Sequence, residues 1–122
     1  MRKFLKFFLI AFIVLITLGV LFKFLLDRER KMALEVAVQQ INLILKDENK
    51  RKEINIPSDL KSFNPKPVDT DIFELTWTFV FETKPKGYLE VLIYSPKGLP
   101  FLPLLNTSKE LKLVDIRYHS GE

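Results

Sequence analysis

The chain has 122 residues, 48% hydrophobic and 28% charged, with no cysteine, one histidine and seven prolines. That length holds one small domain, and the absence of cysteine excludes disulfide frameworks, thiolate nucleophiles and Cys-ligated metals. The net charge of +4 resides entirely in residues 1–26, which carry Arg2, Lys3, Lys6 and Lys23 and no acid, leaving 15 Lys+Arg against 15 Asp+Glu beyond them. A basic pI confined to one short segment is not a nucleic-acid footprint, so nucleic acid is not an expected partner.

Residues 7–22, FFLIAFIVLITLGVLF, carry no charge. As a helix they cover about 24 Å of a hydrocarbon core of about 30 Å, and Lys6 and Lys23 can extend to the headgroups on either side. No small-x-small cleavage site follows the run, and no Cys is present to accept a lipid. Residues 1–26 are therefore expected to be an uncleaved transmembrane signal anchor in a lipid bilayer. Arg2, Lys3 and Lys6 crowd the short tail before the span and resist translocation. That predicts a cytoplasmic N-terminus and places residues 27–122 outside the cytoplasm, at the periplasmic face of the inner membrane in a bacterium. Arg28, Arg30 and Lys31 beyond the span have Asp27, Glu29 and Glu35 beside them as counter-charges.

No Gly or Pro lies between Gly19 and Pro57, so the helix is expected to run on past the span. Leu34, Val38, Ile41 and Leu45, flanked by Ala37 and Ile44, form an apolar stripe too short for a coiled coil and suited to packing on a sheet. The charge run 47–52 is expected to end the helix. Residues 53–70 read as a mostly irregular crossover, with a short edge strand at Ile54-Asn55-Ile56 and one helical turn capped by Ser58 or Asp59 and reaching Phe63.

Residues 72–83 give the clearest strand, with Phe73, Leu75, Trp77, Phe79 and Phe81 alternating against more polar residues. Leu89, Val91 and Ile93 mark a second strand over 88–94. A three-residue loop Pro85-Lys86-Gly87 would oppose Phe81 to Val91 and Phe79 to Ile93, with Glu82 facing Glu90 and Gly87 at positive φ. Residues 111–119 read as the last strand, with Val114, Ile116 and Tyr118 on one face. Leu111 and Leu113 are out of phase with these, which predicts a bulge or a late strand start near Leu113.

Between these strands, residues 99–105 are apolar, but Pro100 and Pro103 keep them out of helix and inner strand. They are expected either to fold over one end of the sheet and close a small core, or to form an exposed patch toward a protein or the bilayer, in which case Leu99, Phe101, Leu102 and Leu104 are the candidate partner-binding residues. No catalytic group assembles from the sequence. His119 lies near the C-terminal end, and Ser58, Ser62, Ser95, Ser108 and Ser120 have no glycine elbow. Asp69-Thr70-Asp71 lacks the rest of a calcium loop, and four glycines make no phosphate loop. No enzyme, cofactor or metal is expected.

The stretch Phe79-Val-Phe-Glu-Thr-Lys-Pro-Lys-Gly-Tyr-Leu-Glu-Val-Leu-Ile-Tyr94 resembles the hairpin of the membrane-anchored cytochrome oxidase assembly factors, although Trp77 stands in the first hairpin strand rather than the last. That resemblance implies a span, a helix and a small α+β domain with an assembly role and no catalytic constellation. A span flowing into a helix on a sheet is also similar to type IV pilins, but Lys6 and Ala11 stand where the pilin motif has a small residue and a Glu. The expected fold is thus α+β: a transmembrane helix continuing into an amphipathic helix packed on a three-stranded antiparallel sheet. The expected role is a non-catalytic assembly factor or scaffold with a membrane-protein partner; the alternative is a pilin-like structural subunit.

Overall fold

In the computed structural model, which describes residues 2–57, 60–84, 86–99, 102–103 and 105–120 (backbone alone for 99 and 102), the chain begins with one unbroken helix. This helix, α1 (Arg2–Leu45), is 44 residues long, or about 66 Å. Its first half is long and apolar enough to cross a membrane, and its most apolar window is wholly uncovered by the rest of the chain. Its second half packs on the sheet through Glu29, Ala33, Ala37, Ile41 and Ile44. The buried row is therefore centred on small residues, with Leu34, Val38 and Leu45 half-buried beside it rather than at its middle. The alanines let the helix approach a sheet face whose bulk comes from Trp77, Phe79 and Phe81.

Residues 47–52 do not simply end the helix. Asp47 caps a second helix, α2 (Glu48–Ile54), by accepting from the Asn49 and Lys50 N–H groups, and Asn55 closes it in the left-handed region at φ 66°. Ile54-Asn55-Ile56 is consequently no strand. The Arg51 guanidinium donates to the carbonyls of Pro57 (2.6 Å) and Leu60 (3.2 Å), tying α2 to the crossover. Ser58 and Asp59 lie outside the described residues.

The sheet is antiparallel and has five strands, not three: β1 (Ser62–Phe63), β2 (Asp69–Phe73), β3 (Thr76–Lys84), β4 (Gly87–Tyr94) and β7 (Lys112–Ser120). Two short strands, β5 (Gly98–Leu99) and β6 (Leu102–Pro103), pair separately. The extra strands come from the crossover. Phe63 is in β1 rather than in a helical turn, and residues 61–73 follow one edge of β3, as Lys61, Asn64 and Val68 N–H donate to the Lys84, Glu82 and Val80 carbonyls. Pro65 and Pro67 fall between β1 and β2, on an edge where a missing N–H leaves no central ladder bond broken.

The expected strand 72–83 is interrupted. The chain reverses at Glu74 (φ 47°) and Leu75 (φ 64°), so Phe73 pairs with Thr76 and Ile72 with Trp77. Both turn residues are left-handed, the requirement of a type I′ hairpin normally met by Asn-Gly. The alternation in sequence continued across the turn because a two-residue loop preserves the period of two.

The β3–β4 pairing also differs from expectation. Thr83 opposes Gly87, Phe81 opposes Leu89, Phe79 opposes Val91 and Trp77 opposes Ile93. This register is two residues from the expected one. A shift of two leaves every side chain on its face, so hydrophobic pattern excludes odd slips and is blind to even ones. Glu82 therefore opposes Tyr88, and Glu90 opposes Val80, so the two glutamates do not face each other. Gly87 is not at positive φ. It is buried, and a Cβ there would lie 2.5 Å from the Tyr118 hydroxyl oxygen.

In β7, the register breaks between Leu92, opposite Asp115, and Ile93, opposite Leu113. Val114 is the extra residue and is exposed, so the bulge brings Leu113 rather than Val114 onto the inner face with Ile116 and Tyr118. The resulting two-layer core joins Ala33, Ala37, Ile41 and Ile44 to Trp77, Phe79, Phe81, Leu89, Val91, Ile93 and Ile116. Trp77 and Phe79 rings stack at 6.1 Å.

Candidate functional site

Polar residues on the buried row of a helix need partners, and Glu29 is fully buried on the α1 row that continues with Ala33 and Ala37. Its carboxylate accepts from the Asn106 backbone N–H, from the Ser95 hydroxyl (3.1 Å) and from the Asn106 side-chain amide (3.4 Å). Glu29 is thus not a counter-charge for the neighbouring basic residues; Asp27 has that role, 3.7 Å from Arg30. Arg28 donates to the Asn106 carbonyl from the adjacent position.

Ser95 and Asn106 are the two ends of the apolar loop. Between them Asn106 closes the neck, its Oδ1 accepting from Lys97 N–H at 2.9 Å and its Nδ2 donating to the Lys97 carbonyl at 2.7 Å. Beyond the neck, Thr107-Ser-Lys-Glu110 forms a single turn with a capping-box pattern, in which the Glu110 carboxylate accepts from Thr107 N–H and hydroxyl. Lys97 Nζ lies 2.8 Å from that carboxylate. Lys97, with the Thr107 bonds, holds the Glu110 carboxyl below its usual range.

Of the residues expected to bind a partner, Leu99 and Leu102 oppose each other across β5 and β6, and β6 lies against α1. Phe101 and Leu104 lie outside the described residues. Leu105, in the left-handed region at φ 65°, is 66% exposed one residue before the Glu29 contact. The loop is therefore carried on the part of α1 that directly follows its apolar run.

The β2–β3 turn lies at the same end. Leu26, Asp27, Arg30, Thr70, Asp71, Ile72 and Trp77 line one groove of about 290 Å³. Further along, Arg30, Lys31 and Leu34 share a groove with Thr70 and Phe79. Moving from Trp77 to Phe79 thus tracks α1 from Leu26 toward Leu34, so β3 runs in the same sense as the helix. Its start, with Phe73, Glu74 and Leu75, faces the apolar half of α1. The Leu75 carbonyl accepts from Ser95 N–H at 2.8 Å, linking this turn to the apolar loop.

At the opposite end, His119 is exposed on β7, its Nε2 3.9 Å from Glu90, which also lies 3.6 Å from Arg117. Among the described residues no group of three His, Cys, Asp or Glu side chains is placed to hold a metal. Ser95 is buried against a carboxylate, but His119 lies on β7 opposite Tyr88, at the other end of the sheet from Ser95. The sequence reading missed Glu29, Ser95 and Asn106. The available signal was an acid on the helical row 29–33–37–41, where each further position is apolar. No protein-family model, curated protein or solved structure matches the chain.

Proposed function

We propose that this is a non-catalytic single-pass membrane protein whose domain acts as an assembly factor or scaffold for a membrane complex, with its N-terminus cytoplasmic and its domain outside the cytoplasm. One observation carries the reading: Leu26, at the end of the apolar part of α1, already packs against the domain core. The apolar half and the domain are joined by continuous helix, with no spacer between them. A domain held this way keeps a constant height and orientation, which suits presenting a surface to a neighbouring membrane protein. Orientation rests on Arg2, Lys3 and Lys6, which precede the span with no acid among them.

The test is topology plus contact. A C-terminal alkaline phosphatase fusion is expected to be active, and a cytoplasmic reporter at the same position inactive. Photocrosslinkers at the exposed Val114 and Leu43 in native membranes are expected to capture a discrete membrane-protein adduct. An inactive phosphatase overturns the orientation, and absence of any protein adduct overturns the scaffold role. The continuous α1 also favours a second reading, a pilin-like subunit. Loss of N-terminal residues on maturation supports it, whereas retention of Arg2 supports the scaffold.

A further inference from the structure

The outer face of the sheet, away from α1, ends at one row of directly opposed residues: Phe73 opposite Thr76, Thr76 opposite Tyr94, and Tyr94 opposite Lys112. Phe73 is 72% exposed and Tyr94 and Lys112 are also exposed. A phenylalanine this exposed contributes little to the fold at this rim.

The height of the row follows from α1. Ile72 and Trp77 share a groove with Leu26, and β3 runs in the same sense as the helix. The turn at Glu74 and Leu75 extends about two residues, or about 7 Å, beyond Trp77 toward the apolar half. On α1, four residues from Leu26 back to Phe22 span about 6 Å. Leu75 is also joined through Ser95 to Glu29, so the tip lies between the level of Glu29 and the end of the uncharged run at Phe22. The composition of the row suits that level: aromatic side chains and a lysine are the residues that settle at a membrane–water boundary. Arg28, Arg30 and Lys31 rise from α1 just above it. Among the described residues, three of the four non-glycine residues at positive φ, Glu74, Leu75 and Leu105, also lie at this end, and two of them are leucines at backbone positions that favour Asn or Gly.

We propose that the row Phe73, Thr76, Tyr94 and Lys112, with the Glu74-Leu75 turn below it, seats in the headgroup layer of the bilayer that α1 spans, so that the domain rests on the lipid surface. This rests on the reading of α1 as a span. Lipid is the occupant because the row ends the sheet on the side toward the apolar half of α1, which the same reading commits to hydrocarbon. The bilayer then restrains rotation of the domain about the helix axis, and the outer sheet face stands out from the membrane with its far end open to partners.

The chain has no cysteine, so single-cysteine variants label at one position only. The full chain is reconstituted into vesicles of phosphatidylcholine and phosphatidylglycerol, with a polarity-sensitive fluorophore at Phe73→Cys. Leu15→Cys reports the span, and Lys86→Cys, at the far end of the hairpin, reports water. The label at 73 is expected to emit to the blue of that at 86 and to lose intensity to lipids carrying a shallow spin label, while that at 15 is quenched by deep ones. An aqueous signal at 73 with a lipid signal at 15 overturns the seating and leaves the span intact. A blue-shifted label at 73 that no lipid quenches means that a second copy covers the row, and also overturns it. An aqueous signal at 15 removes the span and the seating together.

Discussion

The Glu29 carboxylate accepts the backbone N–H of Asn106 across 77 positions of sequence, and this bond decides where the apolar loop sits. It holds the Asn106 end, with Arg28 donating to the Asn106 carbonyl beside it, while the Ser95 hydroxyl on the same carboxylate holds the other end. Both ends of the loop therefore meet α1 at the turn that follows the apolar run.

Replacing Glu29 with Ala leaves the Ser95 hydroxyl and the Asn106 N–H buried without an acceptor. The expected loss is about 3 kcal/mol, with Glu29→Gln losing less because its carbonyl oxygen still accepts. Thermal denaturation of the full chain in detergent measures the first effect. Limited proteolysis measures the second, since a released loop between Ser95 and Asn106 should be cut faster.

Gly87→Ala should destabilise the domain by about 1–3 kcal/mol through crowding rather than backbone strain, because its Cβ would meet the Tyr118 ring and the His119 carbonyl. Tyr118→Val should recover part of that loss, and the double-mutant cycle should show favourable coupling. Equal costs in both backgrounds would point back to conformation.

Trp77→Ala should cost about 3–5 kcal/mol, since the ring is buried against Phe79 and Ile93 in the two-layer core. Phe73→Ala, four residues earlier on the same apparent alternation, should change stability by less than about 0.5 kcal/mol. Melting curves of the two variants separate a hairpin at Glu74-Leu75 from one continuous strand.

Glu74→Asn with Leu75→Gly should raise the melting temperature, because both replacements accept positive φ and reduce a strain of order 1 kcal/mol per residue. A lower melting temperature would show that Leu75 contributes more by packing than it costs in backbone energy.

Glu110 titrates below its usual range, first because of Lys97 and then through the Thr107 bonds. A lowered carboxylate pKa contributes stability that is present above the unfolded value and lost as pH falls through the folded one. Lys97→Met should move the Glu110 titration up toward the ordinary carboxylate range and weaken the acid dependence of melting. Carbon-detected NMR titration of the carboxyl group reads the shift directly.

The apolar run, its continuation as helix, the α+β class and the apolar face of Trp77, Phe79, Phe81, Leu89, Val91 and Ile93 were legible in the sequence, because each is a local period of 3.6 or 2 repeated over many residues. A break near Leu113 was legible for the same reason, as an interruption of that period, and the pairing with β4 makes it a bulge rather than a late strand start. Three features were decided by tertiary structure. A two-residue turn at Glu74-Leu75 and a register shift of two both preserve alternation, so neither leaves a mark in the pattern; both appear only in the pairing of β3 with β2 and β4. The edge strands β1 and β2 have little period of their own and exist because β3 offers them an open ladder. Glu29 reads as one more charge beside the apolar run, and only the return of Ser95 and Asn106 to its side supplies the donors that let a carboxylate be buried.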